Sequence, residues 1–393
     1  MRIIVVAGAR PNFVKVAPIM EAFKKHHGLS VTLVHTGQHY DDALSSAFFK
    51  DLAMPEADVY LGVGSGRHGE QTGKVLAAFE DVLSKRSIDI VMVVGDVNST
   101  VACALTAAKC QIPVAHVEAG LRSFDRTIPE EVNRVVTDAL ADYLFTPSAD
   151  ADRNLIREGV PKERIYRVGN VMIDTLRRYE HDARARKIPS KFNLQPGGYA
   201  VCTLHRPSNV DSEQELRGVV RILEGLQGQC DVVFPIHPRT RKKLDEFGLI
   251  PSLHRFTRLH PIEPLGYLDF LGLLADAALV LTDSGGIQEE TTALGVPCLT
   301  MRAHTERPVT VTQGTNVVVG TDPKVVLQVA GRALAGDWPR GAIPEGWDGC
   351  AAERIAQVIC ARTPTLAPRE MDDEHVTALY GAIVPKDRMR DQR

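Results

Sequence analysis

Short β-branched runs recur along this chain, separated by stretches with helical periodicity, and most of the runs stop at a polar residue. IIVVAG begins at Ile3 and is followed by a helical stretch from Pro11 to His27. VTLVHT, IDIVMVVGD, PVAHVEAG and DYLFTPS continue the series, with helices expected over about Gln71–Lys85, over Ser99–Lys109 and over PEEVNRVVTDALAD. YAVCTLH, DVVFPIH, RFTRLH, ALVLTDSGG and GVPCLTMR then repeat the pattern. A strand covered on both faces stays apolar throughout, whereas its helices keep one apolar stripe. The alternation therefore predicts an α/β protein with two Rossmann-like, doubly wound parallel sheets. At roughly 100–200 residues per domain, 393 residues suit two domains. The expected division is 1–170, 171–363 and a polar extension over 364–393. KIPSKFNLQPGG, rich in Pro and Gly and without apolar periodicity, is expected to be a linker.

Composition narrows the function classes. A net charge of −3 provides no general basic field for nucleic acid or acidic membranes, so an anionic ligand must meet local positive charge. No apolar run approaches the roughly 20 residues that span a bilayer. The opening MRIIVVAGARPNFVK reads as a first strand and not as a signal peptide, because its apolar run is short and a second basic residue follows at once. The seven cysteines are scattered, odd in number and without CxxC pairs, which suits buried reduced thiols in the cytoplasm.

In open parallel sheets, ligands bind beyond the carboxyl ends of the strands. Those ends carry Arg10, Asp96, Glu118, His205, His237 and Asp283, the last followed by Ser284, Gly285 and Gly286. Asp, Ser and Asn cap helices in any fold, but Arg10, Glu118 and His205 are not preferred caps. Both halves thus point polar groups at the same kind of edge, which suggests one cleft between facing domains. DSGGIQEE runs from a strand into a glycine turn and a helix, a combination that offers free N–H groups to a phosphate. Ser284 and Gly286 are its candidate donors, and Glu290 could accept two ribose hydroxyls. GxGxxG at Gly64, Gly66 and Gly69 does not follow the first strand and reads as a loop, not as a dinucleotide fingerprint. Pro129, Glu130 and Glu131 fit ordinary helix-start chemistry. No HExxH, zinc-type CxxC pair, GxSxG or P-loop is present, so neither a metal site nor a cofactor site is expected.

These segments resemble the non-hydrolysing UDP-N-acetylglucosamine 2-epimerases over about residues 1–360. The matching motifs, in family-like order, are GARPNFVK, TGQH at Thr36–His39, GDVNST at Gly95–Thr100, HVEAGLRS at His116–Ser123, PEEVNR at Pro129–Arg134, HRPSNVD at His205–Asp211, LTDSGGIQEE at Leu281–Glu290 and TERP at Thr305–Pro308. The resemblance implies a GT-B-type fold, with two domains facing a central cleft. It implies a homodimer serving cell-surface polysaccharide synthesis, with a UDP-sugar as substrate and no nucleic-acid or membrane partner. It assigns Asp96, Glu118, Glu130 and His205 to catalysis. Arg10, Lys15, Ser284, Gly285, Gly286, Glu290 and Arg307 fall to the nucleotide sugar, and Phe270 to the uracil. Leu265 stands in the stretch where a member of that family has Gln, which points the uracil contact toward backbone. GVGSGRHGEQTG departs from the segment tied to allosteric activation in many members, so that regulation is not expected here.

The expected chemistry follows from the substrate. The C2 hydrogen of a pyranose N-acetylhexosamine is not acidic, because no carbonyl adjoins it. Without a cofactor, inversion is expected to proceed by loss of UDP from C1 and of the C2 proton, giving a 2-acetamidoglucal. UDP then returns as a proton reaches the opposite face. That scheme needs acid–base groups on both faces and charge stabilisation on the leaving diphosphate. A hydrolysing epimerase, an epimerase of a UDP-2,3-diacetamido-uronic acid, a glycosyltransferase and a non-catalytic sugar-nucleotide sensor remain open alternatives at this stage.

Overall fold

The computed structural model describes residues 1–37, 51, 52 and 54–361, apart from the side chains of Arg10 and Pro11. Its strands are β1 (Arg2–Ala7), β2 (Ser30–His35), β3 (Val59–Tyr60), β4 (Ile90–Val94), β5 (Val114–Val117), β6 (Tyr143–Thr146), β7 (Ile165–Arg167), β8 (Tyr199–Thr203), β9 (Asp231–Pro235), β10 (Leu259–Ile262), β11 (Leu279–Thr282), β12 (Cys298–Thr300) and β13 (Asn316–Val318). β1 to β7 form one sheet in the order 3-2-1-4-5-6-7, and β8 to β13 form a second in the order 10-9-8-11-12-13. Every pairing is parallel. Both sheets are therefore doubly wound. Each reverses direction beside its first strand, where Val5 pairs with Leu33 and Met92, and Val201 with Val233 and Val280. That reversal opens the crevice in which this architecture holds ligands.

The strands fold this way because they are apolar on both faces. β4 is buried along its whole length, and so are β5 and β11. The expected helices are present with shifted ends, at Arg10–Lys24, His68–Ser84 and Asn98–Lys109. The Pro- and Gly-rich stretch is not a loose tether. Ile188 and Leu194 are buried with Tyr199 and Leu273 in one cluster. Four cysteines, Cys103, Cys202, Cys230 and Cys298, are buried as expected, whereas Cys110, Cys350 and Cys360 are exposed. The last three sit at or near helix ends, where the backbone is already at the surface.

Two segments join the sheets. The helix Val171–Ala185 packs on both units: Thr175 donates to the Val14 carbonyl at 2.6 Å, and Arg177 to the Ala293 carbonyl at 2.8 Å. Arg184 binds Asp276 and the Ala275 carbonyl. The chain then returns. Trp347 is fully buried and donates to the Pro147 carbonyl at 2.9 Å. The helix Ala351–Ala361 buries Ile355 and Ile359 in the same cluster as Ile3 and Phe13. Its first free N–H groups, of Ala351 and Ala352, donate to Asp174 at 3.0 and 2.7 Å. The extension expected over 364–393 lies outside the described residues, as do Gln38 and His39 of the TGQH motif.

Candidate active site

The carboxyl edges of the two sheets enclose a cleft of about 790 Å³. On the first unit its wall includes Lys15, Asp96, Glu130 and Arg134. On the second it includes His205, Arg206, the Ser284–Gly286 turn, Glu290, Arg302, Glu306 and Arg307. Residues far apart in sequence meet here because they follow parallel strands or lie in the first two turns of a following helix.

Asp96 follows β4 and Gly95. Its carboxylate receives Arg134 Nη1 at 2.5 Å, and its carbonyl receives Asn133 Nδ2 at 2.9 Å. Both partners lie on the helix Pro129–Leu140, which is built inside out. Glu131, Asn133, Arg134, Thr137 and Asp138 are buried, while Val132, Val135 and Val136 are exposed. Glu131 does not serve its own helix start. Its two oxygens take the Ser123 and Phe124 N–H groups at 2.9 Å each, and one of them also takes Arg134 Nη2 at 2.6 Å. Burial would raise the Glu131 carboxyl, but these bonds outweigh it and hold it below the ordinary glutamate range. Glu130 points into the cleft, is exposed, and has no ion-pair partner among the described residues.

Glu118 does not line the cleft. It lies beneath its floor, 7% exposed, with φ +73° in the left-handed region that L-residues avoid. Strain of this kind survives only where the surroundings fix it. Lys15 grips one carboxylate oxygen, and Arg307 Nη2 holds the other at 2.7 Å. Gly95 makes room for this cluster: a Cβ there would stand 3.3 Å from Asn12 Nδ2 and 3.5 Å from Lys15 Nζ, and its φ is +71°. His116 and Asp138 brace the floor from below, with His116 Nδ1 and Nε2 at 2.6 Å from Asp138 and 2.8 Å from the Gly95 carbonyl.

Across the cleft, Asp283 is fully buried behind His205 and meets its Nδ1 at 3.0 Å, so Nε2 is left for the cleft. Burial would raise the Asp283 carboxyl, but His205, Arg206 and Asn209 outweigh it and hold it low. Ser284 sits at the N-cap of the helix Gly285–Leu294 with no side-chain bond to the helix. Gly285 is not spare room for a ligand. A Cβ there would lie 2.5 Å from Arg307 Nη1 and 2.8 Å from Glu306 Oε1. Glu306 is held by Arg307 at 2.5 Å and Arg302 at 2.7 Å, with Arg206 at 3.7 Å. Burial opposes its charge, but the three guanidiniums win and hold the carboxyl well below its usual range. Glu290 is buried beside Tyr267. Burial, reinforced by neighbouring Glu289, pushes its carboxyl up to about 7 against the Tyr267 hydroxyl bond.

Apart from Glu118, which lies beneath the floor, and two others, the expected residues line the cleft. Phe270 does not line the cleft: it packs with Leu265 against the apolar cluster around Leu273, and Pro264, Leu265 and Tyr267 form that wall. Arg10 opens the helix Arg10–Lys24, and its side chain is not described. Arg134, Arg206, Arg302, Glu306 and the buried Glu289 were not expected. Only the basic residues inside HRPSNVD and PEEVNR and the acid beside Arg307 in TERP could have hinted at them. Among the described residues no group of His, Cys, Asp and Glu is placed to hold a metal, and no helix is long and apolar enough to cross a membrane.

Comparison with known proteins fits this geometry. The profile of the UDP-N-acetylglucosamine 2-epimerase family matches residues 21–360. The UDP-N-acetylglucosamine 2-epimerase of Methanocaldococcus jannaschii is 42% identical over 366 residues, covering 91% of this chain and 99% of that one. A crystal structure of the Methanocaldococcus jannaschii enzyme with UDP-GlcNAc and UDP, 42% identical, superimposes with a TM-score of 0.85, over 92% of this chain and all of the other. The UDP-2,3-diacetamido-2,3-dideoxy-D-glucuronate 2-epimerase of Pseudomonas aeruginosa is 40% identical over 367 residues, covering 91% and 99%.

Proposed function

The chain belongs to the UDP-N-acetylglucosamine 2-epimerase family, and from that membership we propose how its cleft inverts C2 of a UDP-linked N-acetylhexosamine. The enzyme is an isomerase that interconverts UDP-N-acetylglucosamine and UDP-N-acetylmannosamine. One observation carries the reading: acids on the first unit, Asp96 and Glu130, face an anion seat on the second, formed by the Ser284–Gly286 turn and the arginines around Glu306.

The diphosphate settles on the helix start at Gly285, where free N–H groups and the positive helix end favour it. Arg206, Arg302 and Arg307 neutralise the charge that grows as the C1–O bond breaks. Glu290 takes the ribose hydroxyls, and Pro264, Leu265 and Tyr267 flank the uracil. A carboxylate beside C2 accepts its proton as UDP departs, leaving the 2-acetamidoglucal. A second acid then delivers a proton to the other face of C2 while UDP re-adds at C1, so no atom is gained or lost. Asp96 and Glu130 line the cleft and are the direct candidates, and Glu118 acts at the floor. His205, whose Nδ1–H is accepted by Asp283, presents Nε2 to the leaving phosphate and donates to it as the imidazolium.

We further propose that the enzyme is a cytoplasmic homodimer supplying activated hexosamine to cell-surface polysaccharide. The scattered cysteines, none of them in a disulfide among the described residues, support the compartment. The exposed valines of the helix Pro129–Leu140 support pairing of two copies through that face. Val135→Asp should then shift the sedimentation coefficient to that of a monomer.

The test of the reaction is proton NMR with UDP-N-acetylglucosamine in D₂O. A gluco/manno mixture of UDP-sugars carrying deuterium at C2 is expected. UDP with free N-acetylmannosamine would place the enzyme in the hydrolysing branch. No exchange at all would transfer the reading to the UDP-diacetamido-uronate.

A further inference from the structure

His116 is fully buried on β5, and each of its ring nitrogens meets an oxygen. Nδ1 stands 2.6 Å from Asp138 Oδ1, and Nε2 stands 2.8 Å from the Gly95 carbonyl oxygen. Both are hydrogen-bond distances. A carbonyl and a carboxylate only accept. A neutral imidazole has one N–H and one bare lone pair, so it could serve one of these oxygens and would turn a lone pair on the other. Only the imidazolium donates from both nitrogens.

Asp138 supplies the countercharge. Its Oδ2 takes the Gly120 N–H at 3.0 Å and lies 2.7 Å from Arg122 Nη1. Burial would raise the Asp138 carboxyl, but His116 and Arg122 outweigh it and hold it below the ordinary aspartate range. The proton between the two side chains therefore resides on His116. Arg122 in turn binds Glu158 through Nε at 2.7 Å and Nη2 at 2.6 Å. Carboxylates and cations thus alternate inward from the partly exposed Glu158 to His116, so the buried imidazolium is a paired charge.

The inner end of this row reaches Asp96. Gly95 follows β4 with φ +71°, its N–H bonds to the Val117 carbonyl at 3.0 Å, and its own carbonyl is the one that His116 takes. That carbonyl shares a planar peptide with the Asp96 nitrogen. Asp138 lies on the helix Pro129–Leu140, which also holds the Asp96 carboxylate through Arg134 and the Asp96 carbonyl through Asn133. We propose that His116 is a buried imidazolium and a positioning residue for the epimerisation: its Nε2–H fixes the Gly95–Asp96 peptide, and so the direction in which the Asp96 carboxylate meets the cleft. The role in turnover rests on the epimerase reading above, whereas the charge on the ring does not.

Two substitutions separate the ring's two bonds. Counted in bonds from Cβ, an Asn amide nitrogen stands where Nδ1 stood, and a Gln amide nitrogen where Nε2 stood. His116→Gln therefore keeps a donor for the Gly95 carbonyl, and His116→Asn keeps one for Asp138 alone. With UDP-N-acetylglucosamine, His116→Gln should hold kcat within about 5-fold of wild type. His116→Asn should lower kcat by about 10- to 100-fold, the cost of a misplacement of about 1 Å, with KM little changed. Wild-type kcat in His116→Asn, equal losses in both variants, or a change confined to KM would overturn the proposal. Nitrogen-15 NMR of the wild-type enzyme in neutral buffer reads the charge itself. The ring signals assigned to His116 should show two N–H protons and imidazolium shifts at both nitrogens. A neutral ring with one N–H would overturn the proposal, and this readout stands even where a variant does not melt cooperatively. Absence of wild-type turnover would overturn the epimerase reading and the positioning role with it, whereas normal wild-type turnover with equal losses in the two variants overturns the role alone.

Discussion

Thr175 gives its hydroxyl proton to the Val14 carbonyl, 2.6 Å away and 161 residues earlier in the chain. Pro18 stands four residues beyond Val14 inside the helix Arg10–Lys24 and has no N–H to offer, so that carbonyl lacks its helical partner. The bond therefore repairs a break in the helix that carries Asn12 and Lys15 to the cleft, and it ties that helix to the segment joining the two sheets. Thr175→Val keeps the shape and orphans the buried carbonyl. It should lower stability by about 1–3 kcal/mol, read from the urea midpoint, and an unchanged midpoint would show that water satisfies the carbonyl equally well.

Asp96→Asn should leave UDP-N-acetylglucosamine binding nearly intact, because the amide oxygen can still accept from Arg134. Turnover should fall at least ~100-fold, the low end for a positioned acid or base. Steady-state kinetics with calorimetry on the same preparation checks both halves, and near-normal turnover would remove Asp96 from the chemistry.

Gly285→Ala places a methyl group 2.5 Å from Arg307 Nη1, so the guanidinium must move. Overpacking of this kind costs about 1–3 kcal/mol, and the affinity for UDP should weaken by about 10-fold or more. Gly286→Ala is the control, since its Cβ meets only the flexible Met172 end at 3.0 Å and should change affinity far less. Unchanged UDP affinity in Gly285→Ala would refute the seat at this turn.

Glu290 gives the site a pH dependence. Burial, with Glu289 beside it, raises its carboxyl to about 7, and a protonated carboxyl accepts two ribose hydroxyls poorly. Affinity for UDP-N-acetylglucosamine should therefore rise from pH 6 to pH 8, and Glu290→Gln should abolish the rise. The same shift has a stability sign. The folded state holds this proton more tightly than the unfolded chain does, so the contribution is complete below the ordinary glutamate range and is lost as pH rises through about 7. A binding curve that is flat with pH in the wild type would reassign the ribose contact.

Much of the site could be read from the ends of apolar runs. Asp96, His205 and the Ser284–Gly286 turn follow strands that are apolar on both faces, and the doubly wound order turns that local fact into a shared cleft. The rest depended on which way a helix faces. Val132, Val135 and Val136 have the spacing of a buried stripe, yet they are exposed, and the helix turns Glu131, Asn133 and Arg134 inward to serve Asp96 and the loop at Ser123. Periodicity reports that a helix has two faces without saying which one is covered. Glu289 and Glu306 were hidden for a related reason. Acids near a helix start or a basic residue fit many local roles, and only the approach of Arg307 over Gly285 selects theirs. Phe270 stands outside the cleft lining, where Leu265 and Tyr267 are found, because it packs into the apolar cluster around Leu273.

Trp347, Ile355 and Ile359 complete the same core that Ile3 and Phe13 begin. The first unit is thus the first to be synthesised and among the last to be finished. While the second sheet emerges from the ribosome, the earlier one waits with part of its apolar surface uncovered, in the interval when nascent chains aggregate most readily. Its folding is coupled to chain completion, so a message truncated before Trp347 yields a product with defects at both ends of its sequence, including the end that was translated in full.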